Sequence, residues 1–196
     1  MCGRFYLDVD FEELIAKYGY FDNIEWDLKN PEIFPTNDVS VIVDEGKIKL
    51  TQMKWGFTPS FAKRPLINAR AESCLEKSTF RNAVLSGRCI VPASGYFEWA
   101  GEKGNKTKFK IFSEKEKVIS MAGIFASFRN EEGILENKVT VLTTKAHDSI
   151  KEIHDRMPLI IEGDMEKLWI KTTNNTSIVK EILKYSYRGL HYSQVR

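Results

Sequence analysis

The sequence lacks any surplus of one charge that would announce a partner. Its 29 Lys and Arg face 27 Asp and Glu across 196 residues, a formal net charge of +2. A bulk field of one sign, of the kind that steers strongly charged partners, is thereby excluded. Histidine is scarce, at three residues. No close Cys/His/carboxylate cluster stands at ligand spacing, so no zinc site is expected. Cysteine is sparse and odd in number, at positions 2, 74 and 89. That argues against a disulfide framework and for a reducing, cytoplasmic compartment. No apolar run approaches the roughly 20 residues of a membrane span. The first ten residues, MCGRFYLDVD, lack the apolar core of a secretory signal. There is no internal repeat and no low-complexity segment.

The chain is 42% hydrophobic and 12% aromatic. At this length one core can bury on the order of 70% of the unfolded surface, so residues 1–196 are expected to form a single domain. A helix is predicted from Asp10 to about Tyr18: Phe11, Leu14, Ile15 and Tyr18 recur at helical spacing, Asp10 and Glu13 resemble a capping box, and Gly19 stops it. An irregular stretch with Pro31 and Pro35 follows. Val39–Val43 and Lys47–Met53 then read as a hairpin turning at Glu45-Gly46.

Residues 54–71 form a long aromatic loop, of a length that is functional or disordered in compact domains. Glu72–Leu85 is helix-compatible. Strands are predicted at Cys89–Val91, Tyr96–Trp99, Thr107–Phe112, Val118–Phe125 and Val139–Thr143. Helical patterns return at Ala146–Ile153, Asp164–Ile170 and Ser177–Tyr185. Without regular βαβ alternation, this predicts one compact α+β domain, a curled or barrel-like, mostly antiparallel sheet with peripheral helices.

Several residues could carry chemistry. Cys2 would become the N-terminus if Met1 were removed, placing an α-amine and a thiol on adjacent carbons. About a tenth of such an amine is neutral at pH 7. A 1,2-aminothiol condenses with an aldehyde to an imine, and the sulfur then closes a five-membered thiazolidine. An internal cysteine cannot do this, because its nitrogen is an amide. The plain alternative is that Cys2 is merely the second residue. Cys74 and Cys89 fit small buried apolar positions. Lys103, Lys106, Lys108, Lys110, Lys115 and Lys117 read as ordinary solvated surface.

His154, in His154-Asp155-Arg156-Met157-Pro158, fits either a positioned acid/base beside an anion clamp or a helix-terminal cap. Glu98 lies in Gly95-Tyr96-Phe97-Glu98-Trp99, where alternation puts Tyr96 and Glu98 on one face. A carboxylate among aromatics would be partly desolvated and raised toward neutral pH, suiting proton transfer; an exposed strand Glu is the commoner case. Asn68 and Arg70 could hold a sugar oxygen and a phosphate, or Asn68 could cap the following helix. Trp55, Phe57 and Phe61 could stack on unpaired bases or close over the core. Arg4, Arg70, Arg81, Arg88 and Arg156 could meet phosphates.

In order and spacing, Met1-Cys2-Gly3-Arg4-Phe5, Trp55-Gly56, Asn68-Ala69-Arg70-Ala71-Glu72, Phe80-Arg81, Arg88-Cys89-Ile90-Val91-Pro92, Gly95-Tyr96-Phe97-Glu98-Trp99 and His154-Asp155-Arg156-Met157-Pro158 resemble the SRAP family, the SOS response-associated peptidase-like proteins. The resemblance covers nearly the whole chain. It implies a compact α+β fold with a positively charged channel for single-stranded DNA. It implies that Cys2 joins a ring-opened abasic deoxyribose as a thiazolidine, with Asn68, Glu98 and His154 around the linkage. Arg4, Trp55, Arg70, Arg81 and Arg156 match positions that contact the DNA backbone or stack on bases. No metal or organic cofactor is implied. The expected partner is single-stranded DNA with abasic sites, met by a monomer that is cytoplasmic, and nucleoid-associated if bacterial. Phe61 stands where the family commonly has tryptophan, and Glu32-Ile33-Phe34 lacks the asparagine expected before Pro35.

Two alternatives remain open from the residues: a thiol peptidase with Cys2 as nucleophile and His154 as base, self-releasing or acting on other proteins, and a module that binds single strands without a covalent product.

Overall fold

Local chemistry starts the chain as predicted. After strand β1 (Arg4–Leu7), Asp10 caps helix α1 (Phe11–Tyr18): its carboxylate accepts from the Glu13 N–H at 3.0 Å, and Glu13 accepts from the Asp10 N–H at 3.1 Å. The computed structural model describes residues 2–19, 29–102, 104–171 and 175–195. Met1, Lys103 and part of the predicted irregular stretch lie outside the described residues. Within that stretch, Asn30–Ile33 form strand β2. Pro31 is tolerated there because β2 is the edge strand of its sheet.

Strands β3 (Asp38–Asp44) and β4 (Ile48–Trp55) make the predicted hairpin, whose turn uses Gly46 at φ +86. β5 (Asn68–Arg70) follows the ordered excursion 56–67, then helix α2 (Ser78–Ser86). That helix was expected from Glu72, but the chain spends residues 71–77 in turns. The Glu72 carboxylate is drawn instead to Arg156, 84 positions away, a tertiary pull that local periodicity does not register.

The strands β6 (Arg88–Ala93), β7 (Gly95–Glu102), β8 (Asn105–Ser113), β9 (Ile119–Arg129), β10 (Leu135–Lys145), β11 (Arg156–Pro158) and β12 (Ile160–Ile161) precede helices α3 (Asp164–Ile170) and α4 (Thr176–Ile182), and β13 (Leu190–Gln194) ends the described chain. The helix predicted at Ala146–Ile153 is instead a run of turns with i→i+3 bonds, Ile150 N–H to His147 at 3.1 Å and Ile153 N–H to Ile150 at 3.0 Å. Its ends meet, since the Ala146 N–H donates to the Asp155 carbonyl at 2.9 Å. A straight helix over residues 146–155 would hold them roughly 14 Å apart.

One sheet runs β13-β8-β7-β1-β2. The other runs β11-β10-β4-β3-β6-β9-β12, and because β9 also pairs with β10 its middle curls into a ring. The pairings of β10 with β4 and β5 are parallel, and the others described are antiparallel. This is the α+β, curled and mostly antiparallel architecture that the sequence predicts. No helix among the described residues is long and apolar enough to cross a membrane.

Two residues of β6 and β7 explain how the sheets connect. Pro92 pairs only with β9, beyond the stretch that β6 shares with β3, so its missing N–H leaves no gap. At Gly95 a Cβ would lie 2.4 Å from the Ile111 carbonyl and 2.7 Å from the Tyr6 hydroxyl, so only glycine lets the chain cross into the second sheet here.

Arg88, 4% exposed, donates to the carbonyls of Val84 and Leu85, both at 2.8 Å, Trp169 at 2.6 Å and Lys171 at 2.7 Å. Its cation thus closes the C-terminal ends of α2 and α3, where helix dipoles favour positive charge. That commits the side chain to the fold rather than to a phosphate. Arg88→Met is expected to cost about 2–4 kcal/mol, because the orphaned carbonyls outweigh the regained desolvation of the charge. Denaturant unfolding measures it.

Candidate active site

Three strands from distant parts of the chain set the site. Cys2 leads into β1, and its carbonyl accepts from Asn68 Nδ2 at 2.8 Å. Asn68 opens β5, which β10 holds in parallel register opposite Val141. Glu98 stands on β7, the neighbour of β1, and is 5% exposed. The Cys2 side chain is fully buried, with Sγ 3.8 Å from the Arg4 carbonyl. Burial above all, and then the Glu98 carboxylate, push the Cys2 thiol well above the usual thiol range. The thiol is therefore held protonated beside a carboxylate. Asn68 Oδ1 is buried with no hydrogen-bond partner among the described residues.

His154 reaches this edge of the ring by a different route. β11 pairs with β10, which pairs with β5, so the His154–Arg156 segment lies two strands over from Asn68. The Arg156 N–H donates to His154 Nδ1 at 3.0 Å. Asp155 Oδ1 also lies 2.8 Å from Nδ1, so this nitrogen has an amide donor and a carboxylate acceptor within reach.

Arg156, expected at a DNA phosphate, is committed inside the protein. Its Nη1 and Nη2 meet the two Glu72 oxygens at 2.5 and 2.9 Å, and Nη2 also donates to the Thr143 carbonyl at 2.6 Å. Sequence reasoning placed Glu72 in the first turn of a helix and missed this clamp. Its effect is to hold the backbone amide that orients His154. The Arg156 guanidinium keeps the Glu72 carboxyl below its ordinary 4.5. A lowered folded value means the pair stabilises the protein above the unfolded value, and this is lost as pH falls through the folded one. Wild type is therefore expected to exceed Glu72→Gln by about 1 kcal/mol at neutral pH, given the exposed side of Glu72. The gap should close in melts below pH 4.5.

The remaining predicted residues divide between core and surface. Trp55 is fully buried, its ring edge-on to Phe5 at 5.0 Å, and Nε1 donates to the Ile67 carbonyl at 2.9 Å. It offers no face to a base in this structure; it fixes the base of the 56–67 excursion. Reciprocal bonds between Phe57 and Leu66, at 3.1 and 2.8 Å, close that excursion. They leave Phe61 72% exposed at its tip. Arg70 and Arg81 are exposed. Arg4 pairs with Glu32 at 2.8 Å and lies 4.3 Å over the Phe34 ring. Lys108 and Lys110 are not simple solvated surface. Lys108 Nζ sits 4.1 Å over Phe97 and Lys110 Nζ 4.3 Å over Tyr6, on the side of β7 away from Glu98.

With this geometry in place, comparison with known proteins decides the family. The family model described as SOS response associated peptidase (SRAP) matches residues 1–196. The chain belongs to this family. A Bacillus subtilis relative, abasic site processing protein YoqW, is 33% identical over 187 residues, covering 89% of this chain and 82% of that one. The Escherichia coli relative, abasic site processing protein YedK, is 31% identical over 180 residues, covering 87% and 80%. A crystal structure of a Bacteroides thetaiotaomicron protein superposes with a TM-score of 0.86 at 23% identity, covering 100% of this chain and 92% of the other, and shares the SRAP-like fold.

Proposed function

We propose that this SRAP protein processes abasic sites in single-stranded DNA by forming a thiazolidine between Cys2, freed by removal of Met1, and the C1′ aldehyde of the opened sugar. The observation that carries this is the enclosure of Cys2: its carbonyl tied to Asn68, its thiol buried beside Glu98. The names of the relatives support the same substrate.

The burial of the thiol sets the order of events. With the thiolate disfavoured, the α-amine, whose pKa lies near 8 when unperturbed, is the first nucleophile. It adds to C1′ and gives a carbinolamine. His154 and Glu98 move the protons that let water leave, while Asn68 orients the sugar. The sulfur closes the ring last. The aldehyde is consumed, and strand scission by β-elimination is suppressed. Phe61 stacks on an unpaired base, worth about 1–3 kcal/mol, and Arg4, Arg70 and Arg81 meet phosphates. Arg156 reaches a phosphate only in exchange for Glu72, so its principal part is to hold His154.

A thiol peptidase acting on other proteins fits less well, since such enzymes lower the pKa of their thiol and burial here raises it. The test incubates processed protein with single strands that carry, or lack, one abasic site. A denaturation-resistant adduct with the first and none with the second is expected. Binding of both alike without an adduct would establish a non-covalent module, and turnover of a peptide panel without DNA would establish the peptidase.

A further inference from the structure

Ring closure asks the enclosure for something that its named residues do not supply. The sulfur must carry negative charge as its proton leaves, yet burial and the Glu98 carboxylate both oppose that charge. Glu98 can take the proton, but a carboxylate cannot donate to the sulfur. One N–H of the Asn68 amide is engaged with the Cys2 carbonyl, and His154 lies two strands over from Asn68.

Tyr96 is the one phenol that shares a face of β7 with Glu98, two residues before it, and its backbone pairs with Phe5 beside the Cys2 end of β1. Its side chain is fully buried, and its hydroxyl has no hydrogen-bond partner among the described residues. A buried hydroxyl left unpaired is costly, and an apolar ring would pack here without that cost. We propose that the Tyr96 hydroxyl is a catalytic donor, hydrogen-bonding the Cys2 sulfur in the ring-closing step.

Resting on the thiazolidine chemistry proposed above, the step balances as follows. The Cys2 S–H bond breaks and its proton passes to the Glu98 carboxylate. The C1′–S bond forms, and the C=N pair of the iminium withdraws onto nitrogen. Nothing is oxidised or reduced. Tyr96 keeps its own proton: burial first, then Cys2 and Glu98, hold its phenol well above the ordinary value. It is therefore a donor at every working pH.

Tyr96→Phe separates this role from packing, because it removes only the oxygen. Processed wild type and variant are mixed with a single strand carrying one abasic site. Cyanoborohydride traps the imine, and the reductant-free, denaturation-resistant adduct reports ring closure. The variant is expected to trap imine at the wild-type rate and to melt no lower, yet to close the ring on the order of tenfold to a hundredfold more slowly, the worth of a hydrogen bond to a charged group. Ring closure at the wild-type rate would overturn the proposal. So would an equal fall in trapping and closure with a lowered Tm, which marks a packing role. If wild type itself gives no reductant-free adduct, the thiazolidine chemistry fails, and Tyr96 with it.

Discussion

Cys2→Ala, processed to a free N-terminal alanine, is expected to give no denaturation-resistant adduct with abasic single strands. Alanine is small enough for Met1 removal, so the variant keeps the α-amine and loses only the sulfur. It should still form an imine that cyanoborohydride traps, because the amine leads. Without the thiol that imine hydrolyses. The size of the effect follows from intramolecularity: well-oriented ring closures reach effective concentrations of roughly 10⁵–10⁸ M, which no external nucleophile replaces. Denaturing gels of wild type and variant, with and without reductant, measure both steps. An adduct at the wild-type level in Cys2→Ala would remove the thiol from the chemistry.

Glu98→Gln should produce the second largest effect. General acid–base groups contribute roughly 10²–10⁴-fold. A slowing of about a hundredfold is expected here, because His154 shares proton transfer before ring closure. The substitution preserves shape, exchanging one acceptor oxygen for an amide donor, in a position only 5% exposed, so folding should survive, and a melt checks that. Since Glu98 serves the same step in reverse, release of the adduct should slow as well. Unchanged rates in both directions would exclude it. His154→Asn offers a comparison, since His154 is held through the Arg156 amide and lies two strands from Asn68.

The sequence disclosed those parts whose cause is local. The Asp10–Glu13 capping box, the turn at Gly46 and the bounds of α3 follow from a few neighbouring residues, and the structure has each of them. The alternation that joins Tyr96 to Glu98 was equally legible, although the unpaired phenol was not, because nothing in a sequence reports a missing partner. What failed depended on distant contacts. Glu72 leaves its helix for Arg156, residues 146–153 coil because their ends must meet, and Asn30–Ile33 become a strand only because β1 is there to pair with. Arg88 lay among five arginines open to phosphate, and only the carbonyls of α2 and α3 reveal its structural task. Trp55 likewise carried a motif in the sequence, but a buried position in the fold.

Cys2 can act as an aminothiol only if Met1 is gone, and its condensation with the aldehyde must release one water, as the imine forms before the ring closes. Intact mass of the purified protein, before and after exposure to an abasic single strand of known mass, tests both at once. The predicted result is a chain lacking Met1 that gains the mass of the strand less one water. An adduct on chains that retain Met1, or a Met1-free chain that gains no mass, would contradict the account.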